Sequence, residues 1–226
     1  MSRLLRQSSP VDAPHHPDRY APGELGAVGE ILRPYGFDFV LDPMAGVGNI
    51  YRLTEYETLG VEIESRYATQ HWKNVTGDAT YLPDFLHPVP AIVTAPTLGN
   101  YTPYKRHLEE LEERNTARFT FPSDRYERLH RDIWRAAAEI LEPGGVLILV
   151  CRDFFRDGKL IRPRFWHEEV IDGFGVDIID RRIVRRITPG KFSTRQMVCG
   201  SVLSVFRKPP RRSSSGVCSV CSECLT

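Results

Sequence analysis

Residues Phe37–Gly48, FDFVLDPMAGVG, decide how this chain folds. The short apolar run Phe39, Val40 and Leu41 predicts a buried parallel strand ending on Asp42. A small-residue turn with Ala45, Gly46 and Gly48 follows, and a helix is expected after it. Backbone N–H groups at such a helix start suit a ligand that approaches the main chain closely, and glycine removes the Cβ that would block it. The turn is not a GxGxxG, since Asn49, Ile50 and Tyr51 follow Gly48. Working outward, Thr58–Glu62 (TLGVE) predicts a second strand ending on a carboxylate. In nucleotide-binding α/β folds a ribose-binding acid stands about 20 residues beyond the glycine turn. Gly77-Asp78-Ala79 gives a third tip, and the apolar strand Ala91–Val93, running into Thr94-Ala95-Pro96, a fourth. Four strand tips then share one sheet edge, where open α/β folds bind ligands.

The series DPMAGVG, GVE, GDAT and IVTAP resembles the motifs of class I S-adenosylmethionine-dependent methyltransferases. The later LEPGGVLILVCRDFFRDGKLI is similar to the corresponding part of amino-group DNA methyltransferases, which methylate adenine N6 or cytosine N4. The resemblance covers roughly Tyr20 to Lys208. It implies a Rossmann-like α/β fold: a mostly parallel seven-stranded sheet, an antiparallel strand in a C-terminal hairpin, and helices on both faces. It also implies S-adenosylmethionine as cofactor and DNA as substrate. By this likeness Asp42, Pro43, Ala45 and Gly46 to Gly48 would hold the methionine part. Glu62 would take the ribose hydroxyls, and Asp78 with Ala79 the adenine. Tyr20-Ala21-Pro22 stand where a preceding helix touches the methionine end in this family; a simple packing helix is the alternative.

An exocyclic base amine is a poor nucleophile, because its lone pair is delocalised into the ring. In the family a (D/N/S)PP(Y/F) motif accepts its hydrogens and stacks on the flipped base. Here Ala95-Pro96-Thr97-Leu98 stand in that place, and only Pro96 matches. Thr94 or Thr97 could supply a hydroxyl, and Tyr101 or Tyr104 a stacking ring. The candidate catalytic residues are therefore Thr94, Ala95, Pro96, Thr97 and Tyr101. The alternatives are a catalytically inactive descendant that binds cofactor or nucleic acid, and a methyltransferase with a different acceptor. A nicotinamide-dependent oxidoreductase is disfavoured by the missing third glycine and by Asp42.

The length of 226 residues suits one α/β domain, here expected at 20–208 behind a polar, proline-bearing arm at 1–19. Hydrophobic content of 41% and charged content of 26% are ordinary for a soluble globular chain, and the net charge is +1. From Cys151 to Arg212, fifteen Lys or Arg face seven Asp or Glu, compatible with a polyanionic partner or with a solvated basic surface. Adjacent arginines on a strand point to opposite faces, so Arg181, Arg182, Arg185, Arg186 and Arg195 cannot all grip one ligand. Five cysteines, three of them in a tail at 209–226, show no disulfide framework. No secretory segment or membrane span is seen, so a cytoplasmic location is expected. Cys218, Cys221 and Cys224 lack a fourth ligand for zinc, so the tail is expected to be disordered with no metal.

Helices are expected at 20–34, 49–56, 65–72, 81–86, 123–141 and 163–174. Asp124 with Glu127 would cap the fifth of these. Segment 100–122 reads as a lid or a surface excursion. Gly145–Cys151 reads as a buried strand, and 176–187 with 196–206 as a hairpin turned at Pro189-Gly190-Lys191.

Overall fold

The computed structural model describes residues 20, 23–96, 121–156, 159–186 and 199–210. Helix α1 (Glu24–Leu32) comes first, then β1 (Phe39–Asp42), β2 (Glu57–Glu62), α2 (Ser65–Ala68), β3 (Asn74–Thr76), α3 (Leu82–Phe85) and β4 (Val89–Thr94). After them come α4 (Asp124–Ile140), β5 (Leu141–Arg152), the small hairpin β6 (Phe154–Arg156) and β7 (Lys159–Ile161), α5 (Pro163–Asp172), β8 (Asp177–Arg186) and β9 (Cys199–Arg207). Seven strands form one sheet in the order β3-β2-β1-β4-β5-β9-β8. β1, β2, β3, β4 and β5 run parallel, and β9 pairs antiparallel with both β5 and β8. The order reverses between β1 and β4, so their carboxyl ends flank a switch point, the usual place for a ligand crevice.

Side-chain alternation along the strands builds two cores. Val146, Ile148 and Val150 of β5 face α1, together with Val40, Ala91, Val93, Leu203 and Val205. Leu147, Leu149 and Cys151 face α4 and α5, together with Leu41, Ile92 and Phe206. β5 is buried throughout Gly145–Cys151, as its apolar run requires, and its start at 142–144 is partly or fully exposed.

Several element ends differ from the sequence reading. α1 begins at Glu24, after Gly23 with φ 93°, so Pro22 lies ahead of the helix, outside the described residues. Only 49–52 form a 3₁₀ turn and only 65–68 a helix, because the chain must re-enter the sheet at Glu57 and Asn74. α4 is capped by Ser123, whose Oγ accepts the Tyr126 N–H at 3.3 Å, and not by Asp124. The arm at 1–19, residues 97–120, the Pro189-Gly190-Lys191 turn and the tail beyond 210 lie outside the described residues.

α4 and α5 meet through buried rings. Trp134 Nε1 donates to His167 Nδ1 at 2.9 Å, so the His167 proton sits on Nε2, 2.9 Å from the Tyr126 hydroxyl. His130 Nδ1 donates to the Tyr126 carbonyl at 3.0 Å, and its Nε2 has no partner among the described residues. Burial lowers both histidines, His130 to about 4 and His167 well below its ordinary value. The unfolded chain takes up these protons near pH 6.5, so their contribution is complete above that pH and lost as pH falls toward 4. His130 alone then accounts for a loss of about 3 kcal/mol between pH 7 and 4. Buried Asp42, raised to about 6, works in the opposite direction over pH 4 to 6. The histidine effect is therefore read as a difference: urea midpoints of His130→Phe should fall less on acidification than those of the native chain.

Candidate functional site

The glycine turn folds over the tip of β2. Ala45 N–H donates to the Val61 carbonyl at 3.0 Å and Gly46 N–H to Glu62 Oε2 at 2.8 Å. Glu62 Oε1 accepts the Glu64 N–H at 2.9 Å. The carboxylate is thus aimed by two backbone donors, one on each oxygen. Gly77 N–H donates to the Glu62 carbonyl at 3.1 Å, which sets the third tip beside the second. Gly46 and Gly48 have φ of 54° and 81°, a region that a side chain would strain.

A clamp that no local spacing announces holds this turn. Asn74 Nδ2 donates to the Gly46 carbonyl at 3.1 Å, the Tyr51 hydroxyl donates to Asn74 Oδ1 at 2.6 Å, and Gly60 N–H donates to that hydroxyl at 2.9 Å. Asn74 and Tyr51 were missed in the sequence, where Tyr51 reads as part of a short helix and Asn74 falls between predicted elements.

Asp42 is 1% exposed. Its Oδ1 accepts the Met44 N–H at 3.1 Å and its Oδ2 the Tyr20 hydroxyl at 2.8 Å. Burial raises its carboxyl to about 6, against these two hydrogen bonds and the nearby Thr94 hydroxyl, which favour the charged form. Burial and Asp42 together push the Tyr20 phenol well above its usual range. Thr94 faces Asp42 outside hydrogen-bonding geometry, and its fully buried Oγ has no partner among the described residues. Next to this pair lies a second cluster missed in the sequence. Glu24, fully buried, takes the Arg152 guanidinium on both oxygens at 3.1–3.2 Å and the Ser201 hydroxyl on Oε1.

Tyr20, Asp42, Ala45, Gly46, Gly48 and Glu62 are therefore contiguous. Pro43 lies in the turn between Asp42 and Met44, whose N–H closes back on Asp42. Asp78 spends one oxygen on the Thr80 N–H at 2.9 Å and hydroxyl at 2.8 Å, capping the turn that starts at buried Ala79. Ile63, apolar and 45% exposed, follows Glu62 directly, so an open apolar surface flanks the acid. Thr94 and Pro96 are buried and Ala95 is half-buried at the β4 tip, across the switch point from Asp42. Thr97, Tyr101 and Tyr104 lie outside the described residues. Arg181 and Arg182 point to opposite faces and are taken up by ion pairs, Arg181 with Glu168 and Arg182 with Asp180 and Glu30. Among the described residues there is no group of metal-binding side chains, and no helix is long and apolar enough to cross a membrane.

A buried carboxylate raised toward neutrality favours a cation beside it. An acid aimed by backbone donors suits vicinal hydroxyls, and a glycine turn admits a ligand to the main chain. These features fit the methionine and ribose parts of an adenosyl cofactor.

No family model matches the sequence, and no curated protein matches it. Solved structures do. A protein proposed to be an RNA methyltransferase from Pyrococcus horikoshii aligns with TM-score 0.55 at 14% identity, over 85% of this chain and 86% of that one. An S-adenosylmethionine-dependent methyltransferase from Clostridium acetobutylicum aligns with TM-score 0.52 at 12% identity, over 82% and 90%. The N-methyltransferase NodS from Bradyrhizobium japonicum, bound to S-adenosyl-L-homocysteine, aligns with TM-score 0.50 at 14% identity, over 82% and 84%. The chain spans 48% of the length of TrmN from Thermus thermophilus, at 18% identity, 80% coverage of this chain and TM-score 0.47. With the sheet order and the single antiparallel strand, the Pyrococcus horikoshii and Clostridium acetobutylicum matches show that the chain has a Rossmann-like fold, one also seen in S-adenosylmethionine-dependent methyltransferases.

Proposed function

We propose that this chain is an S-adenosylmethionine-dependent methyltransferase whose acceptor is an exocyclic amine of a nucleic-acid base, with DNA as the substrate suggested by the sequence motifs. One observation carries the cofactor half. The Glu62 carboxylate is bonded to the glycine turn itself, through Gly46 N–H at 2.8 Å, so the ribose acid and the methionine cradle are one unit. When bound, the cofactor supplies an electrophilic methyl on a cationic sulfur. Asp42, Pro43, Ala45, Gly46 and Gly48 would hold its methionine part under Tyr20, Glu62 its ribose, and Asp78 with Ala79 its adenine.

The acceptor half rests on the β4 tip. Ala95 occupies the family's polar position, and the unpartnered Thr94 hydroxyl lies one residue before it. That hydroxyl is the described group available to accept an amine hydrogen. Alignment of amine and methyl supplies most of the rate in such a displacement, on the order of 7–11 kcal/mol. Ala95 equally favours a second reading, a chain that binds the cofactor without turning it over.

Calorimetric titration with S-adenosylhomocysteine tests the first half. Binding is expected, and it should weaken below about pH 6, because the cofactor's ammonium needs Asp42 charged. Asp42→Asn should weaken it about 10- to 100-fold, the size of a charged hydrogen bond. Absence of binding at pH 7 overturns the cofactor reading. Labelled S-adenosylmethionine with single-stranded DNA, duplex DNA and RNA then tests the second half. Incorporation into DNA supports the base-amine reading, whereas binding with no incorporation into any of them supports the inactive one.

A further inference from the structure

On the outer side of the glycine turn, three aromatic rings run in line toward solvent. Tyr51 and His71 stack with centroids 3.7 Å apart and planes 13° from parallel. His71 and Trp72 continue the line at 6.2 Å and 19°. The inner end is anchored by the Tyr51 hydroxyl on Asn74 and Gly60. Gly48 packs directly beneath it: a Cβ there would come within 3.0 Å of His71 Cβ and closer to the Tyr51 ring. His71 Nδ1 accepts the Lys73 N–H at 3.3 Å, and burial together with Lys73 lowers its pKa, so the ring stays neutral.

The outer end is open. Trp72 is 85% exposed, whereas Trp134 is buried and Trp166 half-buried. Lys73 Nζ sits 5.5 Å from the Trp72 ring centroid and 5.9 Å from that of Tyr51, and among the described residues it forms no ion pair. An apolar protein partner laid on Trp72 would have to bury this ammonium uncompensated. A stacked nucleotide instead brings a phosphate to the cation and a π-face to the indole.

We propose that Trp72, backed by His71 and Tyr51, is a stacking platform for one unpaired base of a single-stranded nucleic acid, with Lys73 neutralising an adjacent phosphate. The proposal rests on the nucleic-acid half of the proposed function and deepens it. The substrate is held as an unpaired strand running past the glycine turn. Because every base has a π-face, the contact is tolerant of sequence.

The test is a fluorescence titration of the full chain, without cofactor, using an oligothymidylate of about twelve nucleotides, an RNA of matching length and a duplex. Both single strands should quench Trp72 emission, and the duplex should quench it less at equal salt. The tighter of the two single strands identifies the source of the base. Trp72→Ala should abolish the quench and weaken binding about 5- to 100-fold, as expected for loss of one stacked base, while Trp72→Phe keeps most of the affinity. Lys73→Ala should reduce the slope of log affinity against log salt by about 0.7. The proposal is overturned if neither strand binds, if Trp72→Ala binds as the native chain does, or if the Trp72 signal tracks protein concentration instead, marking contact between two copies. Titration of Trp72→Ala with S-adenosylhomocysteine keeps the two readings separate: cofactor affinity should not change, and failure of the native chain to bind cofactor leaves the platform result standing.

Discussion

Gly60→Ala should abolish measurable S-adenosylhomocysteine binding, with a loss of at least about a hundredfold, in a chain that still folds. The glycine lies in β2 under the turn, and its amide is one corner of the clamp. A methyl at this position would collide with Asn74 Oδ1, would stand 2.6 Å from Ala45 Cβ and would stand 2.8 Å from the Tyr51 hydroxyl. Those are the atoms that fix the turn, so relief of the clash moves Ala45 and Gly46 away from Glu62. Overpacking of this kind costs about 1–3 kcal/mol of stability, which a domain of this size tolerates. A displacement on the order of 1 Å in a positioning site costs about a hundredfold. Gly26→Ala is the control: nothing lies within 4 Å of its added methyl in α1, so the helix should gain about 0.5–1 kcal/mol and binding should stay as it was. Native-like affinity in Gly60→Ala would mean that the turn is not where the cofactor sits.

Arg152→Met should destabilise the chain by about 3–5 kcal/mol, read from urea unfolding at pH 7. Glu24 is fully buried, and Arg152 covers both of its oxygens at 3.1–3.2 Å. Removal of the guanidinium takes away the cation that covers both oxygens of a carboxylate held in the core. The size of the effect comes from that carboxylate, left without its cation, and not from the net worth of the pair. The double replacement Glu24→Met with Arg152→Met should therefore recover most of the loss, since apolar groups of similar volume remove the charge as well as its partner. If the double variant is as unstable as the single one, packing of the arginine stem, and not charge, is what holds α1 to β5 and β9. The pair also matters to the site, because Glu24 contributes to the raised Tyr20 phenol whose hydroxyl rests on Asp42.

The sheet and the line of strand tips were legible in the sequence because both follow from local chemistry. A short apolar run followed by small residues and glycines predicts a buried strand entering a tight turn, as at Phe39–Gly48. Asp42 and Glu62 stand at the ends of β1 and β2, as the apolar runs predict. The amphipathic repeat of α4 and the apolar run Gly145–Cys151 within β5 read equally well. Helix ends read less well, since at 49–52 and 65–68 the length is decided by where the next strand must pair and not by propensity.

What only the tertiary structure decided are the contacts between distant residues. Arg152 meets Glu24 across 128 positions and Ser201 meets Glu24 across 177, and Asn74 reaches the Gly46 carbonyl across 28. Nothing in the neighbourhood of those residues marks them, because a buried polar group is defined by the partner that satisfies it, and topology chooses that partner. The same holds for Arg181 and Arg182. Their charge was visible in the sequence, but the carboxylates that occupy them became apparent only once α1 and α5 were placed on opposite faces of the sheet.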